Sequence, residues 1–349
     1  MWTTFMLLSG TFTTLVAKGL YTTNAEGTQN CDINDDDDKY CDFNKPWFTV
    51  LVMKLSMSLC LPLYYWLGWG KDNPNAPNPS WTTIKAVALP ASLDLLNTVL
   101  GNIGLLYVDS SIYQMTRGSV VIFSALMSVK YLGRRLYSFH YWAIGMVIVA
   151  VILVGTAGTQ SSDSSSNQGD VLLGLGFIIL AQAVTACQFI AEESLMNNKL
   201  TEMDPVALVG FEGIWGLTYF VFLAPILTVT PRSSMAVSIV WHEDFGDTFV
   251  QLSNSSDLCW LCFGYFVAIL VYNVSANFVT QCLSAVVRSI LEACRVMGVW
   301  VVSLILWYCF SGPLQGIGEQ WSDWSYMQLC GFGILMYGTF AYKSLVKLP

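Results

Sequence analysis

The stretch VLLGLGFIILAQAVTACQFIAEESLM, residues 171–196, carries no charged side chain until Glu192. A helix needs about twenty mainly apolar residues to cross roughly 30 Å of hydrocarbon, and this segment supplies them. Its polar groups Gln182, Thr185, Gln188 and Glu192 recur at steps of three and four, which stacks them on one helix face. The segment reads as a membrane-spanning helix with a hydrophilic stripe turned away from lipid.

The rest of the chain repeats the pattern. Of 349 residues, 54% are hydrophobic and 11% charged, against roughly a quarter charged in soluble domains. Windows of spanning length, separated by charged or Gly/Pro/Ser-rich breaks, fall at residues 2–21, 47–69, 81–107, 112–132, 139–157, 171–196, 205–229, 258–283, 287–310 and 326–345. Residues 2–20 lack a charged leader and a small-residue cleavage site, so they read as a retained first span. The expected fold is all-α and integral to the membrane, with ten transmembrane helices in a single domain over residues 1–349.

Lys and Arg collect in cytoplasmic loops. With the N-terminus in the cytosol, that side receives Lys71, Lys130, Arg134, Arg135, Lys199, Arg288, Lys343 and Lys347, and the opposite side receives Lys39, Lys45 and Arg232. Both termini are then cytosolic. The opposite side also holds the acidic segment from Glu26 to Asp42 and the Ser-rich linker 159–169. It holds Asn254-Ser255-Ser256 as well, a glycosylation acceptor pattern at Asn254. Cys31 and Cys41 lie in that acidic segment and are a disulfide candidate in an oxidising lumen.

With both termini cytosolic, the ninth span rises toward the lumen while the fourth descends from it, so two five-helix halves, residues 1–158 and 170–349 about the linker, can be related by inversion. SSIYQMTRG at 110–118 aligns with RSILEACRV at 288–296, so Ser111 meets Ser289, Ile112 meets Ile290, Arg117 meets Arg295, and Gln114 faces Glu292. Inverted repeats of this kind are a recurrent transporter architecture with the solute site near the midplane.

Intramembrane polar and charged groups are costly and face a bundle interior or a wet cavity. Besides the stripe on 171–196, Asp94, Asn97 and Gly101 share a face, as do Tyr113, Gln114 and Arg117, and Asn273, Asn277 and Gln281. Arg288, Glu292 and Arg295 place a carboxylate between two guanidiniums on one face. The expected cavity set is Asp94, Asn97, Gln114, Arg117, Gln188, Asn273, Asn277, Gln281, Glu292 and Arg295. Lys54 is expected to snorkel toward the lumen, and glycines such as Gly145, Gly333 and Gly338 to serve close helix packing.

Enzyme signatures are absent. The two histidines, His140 and His242, have no metal-like spacing, and Cys259 and Cys262 have no second pair to complete a zinc site. There is no P-loop, nucleophile elbow or Gly-rich dinucleotide turn. The expectation is a non-enzyme without cofactor or metal, and the net charge of -8 argues against nucleic acid as a partner.

Four groups of strings carry a family resemblance. They are NKPWFTVLVMKL (44–55), SSIYQMTRGSVVIFSALMSVKYLGRRL (110–136), QFIAEESL (188–195) with DPVALVGFEGIWG (204–216), and VTQCLSAVVRSILEACRVMGVWVVSL (279–304). The chain resembles the drug/metabolite transporter superfamily, and within it the lysosomal-type branch of subgroup F of solute carrier family 35 and the chloroquine-resistance-transporter-like proteins. The resemblance implies a central cavity formed by the first to fourth and sixth to ninth helices, with the fifth and tenth outside. It marks Gln114, Arg117, Glu192, Glu193, Glu212, Ser284, Arg288 and Arg295, while Lys54 departs from the acidic residue of the family pattern.

The resulting expectation is a secondary-active carrier of a small organic solute (a cation, amino acid or short peptide), working by alternating access in a lysosomal or vacuolar membrane. The Golgi or another endomembrane is the alternative location. Arg117, Arg288 and Arg295 are the gating candidates. Glu192 and Glu212 are the proton-coupling candidates, because a desolvated carboxylate takes up a proton more readily. The expected partners are the solute, membrane lipid and protons, in a monomer or homodimer. The rivals are a nucleotide-sugar antiporter of the secretory pathway, whose arginines would hold phosphate, and a non-transporting scaffold or receptor, which leaves the intramembrane charges unexplained.

Overall fold

The computed structural model describes residues 1–28, 39–43, 45–68, 79–105, 107, 113, 116–133, 137–161, 168–197, 203–230, 242–310, 312, 318, 320–321 and 325–342. The structure is mostly helical. In chain order, α1 is Trp2–Tyr21, α2 is Pro46–Ser58, α3 is Cys60–Leu67, α4 is Trp81–Ala86 and α5 is Ala88–Leu105. A 3-10 turn at Arg117–Ser119 leads into α6, Val120–Leu132, followed by α7 at Ser138–Ser161 and α8 at Gln168–Asn197. Then come α9 at Pro205–Val229, α10 at Phe245–Asn254, α11 at Ser256–Cys282, α12 at Ala285–Cys309 and α13 at Ser325–Tyr342.

Among the described residues, six segments are long and apolar enough to cross a membrane: Pro46–Leu67, Trp81–Gly104, Val171–Asn197, Pro205–Val229, Ser256–Cys282 and Ala285–Cys309. Burial agrees with lipid as the outer solvent. Trp66, Val229, Trp260 and Phe222 are largely exposed, whereas Lys54, Glu192, Glu212 and Arg288 are buried. A water-soluble protein sorts these side chains the other way. The windows at 2–21, 112–132, 139–157 and 326–345 also carry helix, in α1, α6, α7 and α13. The predicted linker 159–169 is shorter than expected, since α7 runs on to Ser161 and α8 already begins at Gln168.

Helix starts follow local chemistry. Pro46 and Pro205 open α2 and α9, where a missing N–H costs nothing. Ser255 accepts from Leu258 N–H, and Ser284 from Val287 N–H at 3.2 Å, closing the first turns of α11 and α12. Close packing is specific to certain glycines. Gly213 on α9 faces the Met57–Ser58 backbone, and Gly338 on α13 faces Ala143 and Met146 on α7, whereas Gly145 and Gly333 have open space around them, contrary to their predicted role.

Two elements were not expected. Within the acidic segment, β1 (Asn24–Glu26) and β2 (Tyr40–Asp42) pair antiparallel, with Ala25 opposite Cys41. The amphipathic α10 lies against this hairpin. Asp247 of α10 accepts from the Thr28 N–H at 2.6 Å, the Lys45 ammonium at 2.7 Å and Gln251 Nε2 at 3.1 Å. Asn254 Nδ2 donates to the Glu26 carbonyl at 2.8 Å, so the candidate glycan acceptor is engaged in the cap. Cys41 is disulfide-bonded; Cys31, its expected partner, lies outside the described residues, as do Gln114, Arg134 and Arg135.

The cap joins two loops that the charge pattern assigns to one side of the membrane. Replacing Asp247 by alanine leaves the Thr28 amide and the Lys45 ammonium without their acceptor, at a cost of about 1–3 kcal/mol. The expected outcome is faster protease cleavage between residues 24 and 43 while the helical bundle stays resistant. Unchanged cleavage would mean that the cap does not depend on this carboxylate.

Candidate functional site: a charged cavity within the helix bundle

A cavity of about 390 Å³ opens between α1, α2, α5, α6, α8, α11 and α12. That is within the usual range for sites that take small molecules. Asp94, Asn97, Arg117, Gln188, Asn273, Glu292 and Arg295 line it, as expected, together with Gln182, Thr185 and Arg288. The polar stripe of α8 does face inward.

Other expected residues lie elsewhere. Asn277 is buried behind the wall, within 3.3 Å of Arg288 Nη1, and Gln281 is not part of the lining. Glu192 and Glu212 are buried outside the lining. Helix α9 contributes no lining residue, although the resemblance implies a wall from the sixth to ninth spans; α7 and α13 contribute none either, as it implies.

The charges are largely paired. Lys54 does not snorkel: it is 1% exposed and bonded to Asp94 of α5. Its aliphatic stem passes over Gly216 of α9, where an added Cβ would meet Cε at 2.8 Å. Arg288 does not share Glu292 with Arg295. It reaches across to Glu192 on α8, with its guanidinium 4.0 Å from the Phe189 ring centre. Glu192 also accepts from Gln188 Nε2 at 2.8 Å. The neighbouring Glu193 has a different task, accepting the Ala285 N–H at 2.7 Å at the start of α12.

Glu292 holds Arg295 at 2.9 Å and accepts from the Tyr272 hydroxyl. Arg295 donates further to Thr14 Oγ1 at 2.9 Å and to the Gly10 carbonyl at 3.2 Å on α1. Arg117, a gating candidate like Arg295, lines the same cavity and stands 5.8 Å from the Tyr113 ring centre. Glu212 is 2% exposed, and its Oε1 has no hydrogen-bond partner among the described residues.

Sequence reading missed Tyr272 and Thr14 as members of the site, and named Tyr113 on the polar face of its span without placing it in the cavity set. Nothing in the sequence names Lys54 as the partner of Asp94.

No family model matches the chain. An uncharacterised protein of Schizosaccharomyces pombe is 31% identical over 263 residues, 75% of each chain. Solute carrier family 35 member F6 of Homo sapiens is 29% identical over 345 residues, covering 97% of this chain and 87% of that protein. A solved crystal structure is 9% identical with a TM-score of 0.47, covering 99% of this chain and 96% of that one. The chain belongs to one family with the fission-yeast protein, and its end-to-end similarity to member F6 supports its membership of solute carrier family 35.

Proposed function

We propose that this protein is a secondary-active transporter that carries a small organic solute across an endomembrane by alternating access of the charged cavity. The carrying observation is the cavity itself, a hollow of molecular size walled by hydrophilic groups inside a lipid-facing bundle. Similarity to solute carriers supports the same reading. Ten helices in two inverted halves provide the moving parts, and the lysosomal or vacuolar membrane is the proposed location.

The helix pairing supports the inverted halves. Number the windows from one to ten. The second packs on the seventh (α2 on α9), the fourth on the ninth (α6 on α12) and the fifth on the tenth (α7 on α13). The third packs on the sixth (α5 on α8), and its counterpart five places on, the eighth on the first (α11 on α1), is also present. These five pairs map onto one another when each window is exchanged with the one five places away, as two inverted copies require, whereas the packing of the eighth and ninth windows on the sixth has no such counterpart among the described residues.

The charges support the solute class. Arg117 and Asp94, the latter already paired with Lys54, present both signs to the cavity, which suits an amino acid or short peptide and also admits an organic cation. For a nucleotide sugar, the phosphates would compete for Arg288 and Arg295, which are already committed to Glu192 and Glu292, and would find Arg117 as the remaining guanidinium of the lining. Of the two proton-coupling candidates, Glu192 is locked in its pair with Arg288, which leaves Glu212 as the stronger one.

The test is uptake into proteoliposomes under an imposed pH gradient, with a panel of amino acids, dipeptides, organic cations and nucleotide sugars. Glu212→Gln is expected to lose about a hundredfold or more of the gradient-driven uptake, the scale of one proton-transfer group, while retaining counterflow. If Glu192→Gln and Glu212→Gln both keep the wild-type dependence on the gradient, proton coupling through these residues is wrong. Uptake of nucleotide sugar alone would favour the antiporter, and silence across the panel a scaffold or receptor.

A further inference from the structure

Outside the membrane spans, two carboxyl groups, Glu243 and Asp247, are buried as thoroughly as any in the cavity wall. Glu243 is 2% exposed, and both its oxygens are used. Trp47 N–H donates to Oε2 at 2.8 Å and Phe48 N–H to Oε1 at 2.7 Å. These are first-turn donors of α2 that no intrahelical carbonyl can satisfy. Lys45, at the N-cap position, provides no side-chain cap. The start of α2 is therefore closed by a residue 196 positions further along the chain.

That first turn borders the cavity. Pro46, Thr49 and Val50 line it, and Thr49 Oγ1 shares a hydrogen bond of 2.8 Å with the Tyr21 hydroxyl at the end of α1. A group that fixes Trp47 and Phe48 thus fixes the capped end of the cavity.

We propose that Glu243 is a proton-binding latch: protonated, it stays buried against the first turn of α2 and holds the capped end of the cavity shut; ionised, it favours water and releases that turn.

The surroundings define the titration. From α2 the group is faced by Lys45, whose ammonium is tied to Asp247 of α10, and from α1 by the Tyr21 hydroxyl. On its own segment stand His242, with Nδ1 2.6 Å from the Thr230 carbonyl oxygen, and Asp244, which caps α10. Among the described residues, no ion pair includes Glu243 itself. Burial pushes its carboxyl up to about 7, against the opposing pull of the two backbone N–H groups and Lys45.

An exposed glutamate titrates near about 4.3. Between that value and about 7, the buried group holds a proton that the exposed one has lost, so proton binding favours the buried state. The closing bias is complete below the exposed value and disappears as pH rises through the buried one. This holds whether or not the protein moves a solute.

The experiment is hydrogen–deuterium exchange on the full chain in lipid nanodiscs from pH 5 to 8, corrected for the intrinsic pH dependence of exchange. The amides of residues 47–51 are expected to lose about tenfold or more of their protection as pH rises through 7, while α7 and α13 stay flat. Glu243→Gln, neutral at every pH, is expected to abolish the step. Lys45→Gln removes the facing cation and is expected to move the step to higher pH. A flat wild-type profile, a step that survives in Glu243→Gln, or a step left in place or moved down by Lys45→Gln overturns the latch. If Glu243→Gln does not reach the membrane, the wild-type profile and Lys45→Gln decide.

Discussion

Replacing Arg288 by leucine is expected to lower stability by about 3–5 kcal/mol, the cost of removing one partner from a buried ion pair. Glu192 is fully buried, and without Arg288 its charge keeps only the Gln188 amide. The variant should show a lower melting temperature in detergent and a smaller monodisperse fraction. Adding Glu192→Gln removes the stranded charge, so the double variant is expected to recover most of the loss. A double variant no better than the single would assign the damage to lost contact with the Phe189 ring.

Leucine at position 213 is expected to be comparably severe. An added Cβ there would meet the Met57 carbonyl carbon at 2.8 Å and Ser58 Cα at 2.9 Å. Both are backbone atoms, which cannot swing aside as a side chain can. Forcing α2 and α9 apart costs about 3 kcal/mol by the usual measure of overpacking. It also shifts the Lys54 stem over Gly216, and with it the bond to Asp94. Gly145→Leu is the control, since nothing lies within 4 Å of that position. Its melting temperature should stay close to wild type, and equal losses at the two sites would show that the approach of α2 to α9 is not what matters.

Six of the expected spans were legible in the sequence because twenty apolar residues in a row have few other stable environments. The cavity was legible where a helix face suffices to place a side chain, as for Asp94, Asn97 and Gln188. It was not legible where the face drifts. A step of four residues overshoots a turn by about 40°, so Asn273, Asn277 and Gln281 do not form one straight stripe. The first faces the cavity, the second meets Arg288, and the third lies outside the lining.

Charge partners were the other gap. Arg288, Glu292 and Arg295 share a face, which suggested a local triad, yet Arg288 finds Glu192 on a different helix. Lys54 has its partner 40 residues away, and helical spacing carries no information about such a pair. The hairpin was hidden because a polar, acidic segment gives no apolar period to read, and α10 because ten residues are too few to register as a span. They depend on each other through Asp247 and Asn254 more than on their own sequences.

The cap of hairpin and α10 occupies one end of the bundle, and its consequence is a bias. Two identical halves turned upside down relative to each other would spend equal time facing either compartment. An ornament fastened across one doorway removes that equality. On the proposed alternating-access mechanism, the molecule would rest with the bolted side closed, and whatever slides the bolt would set how often it turns over.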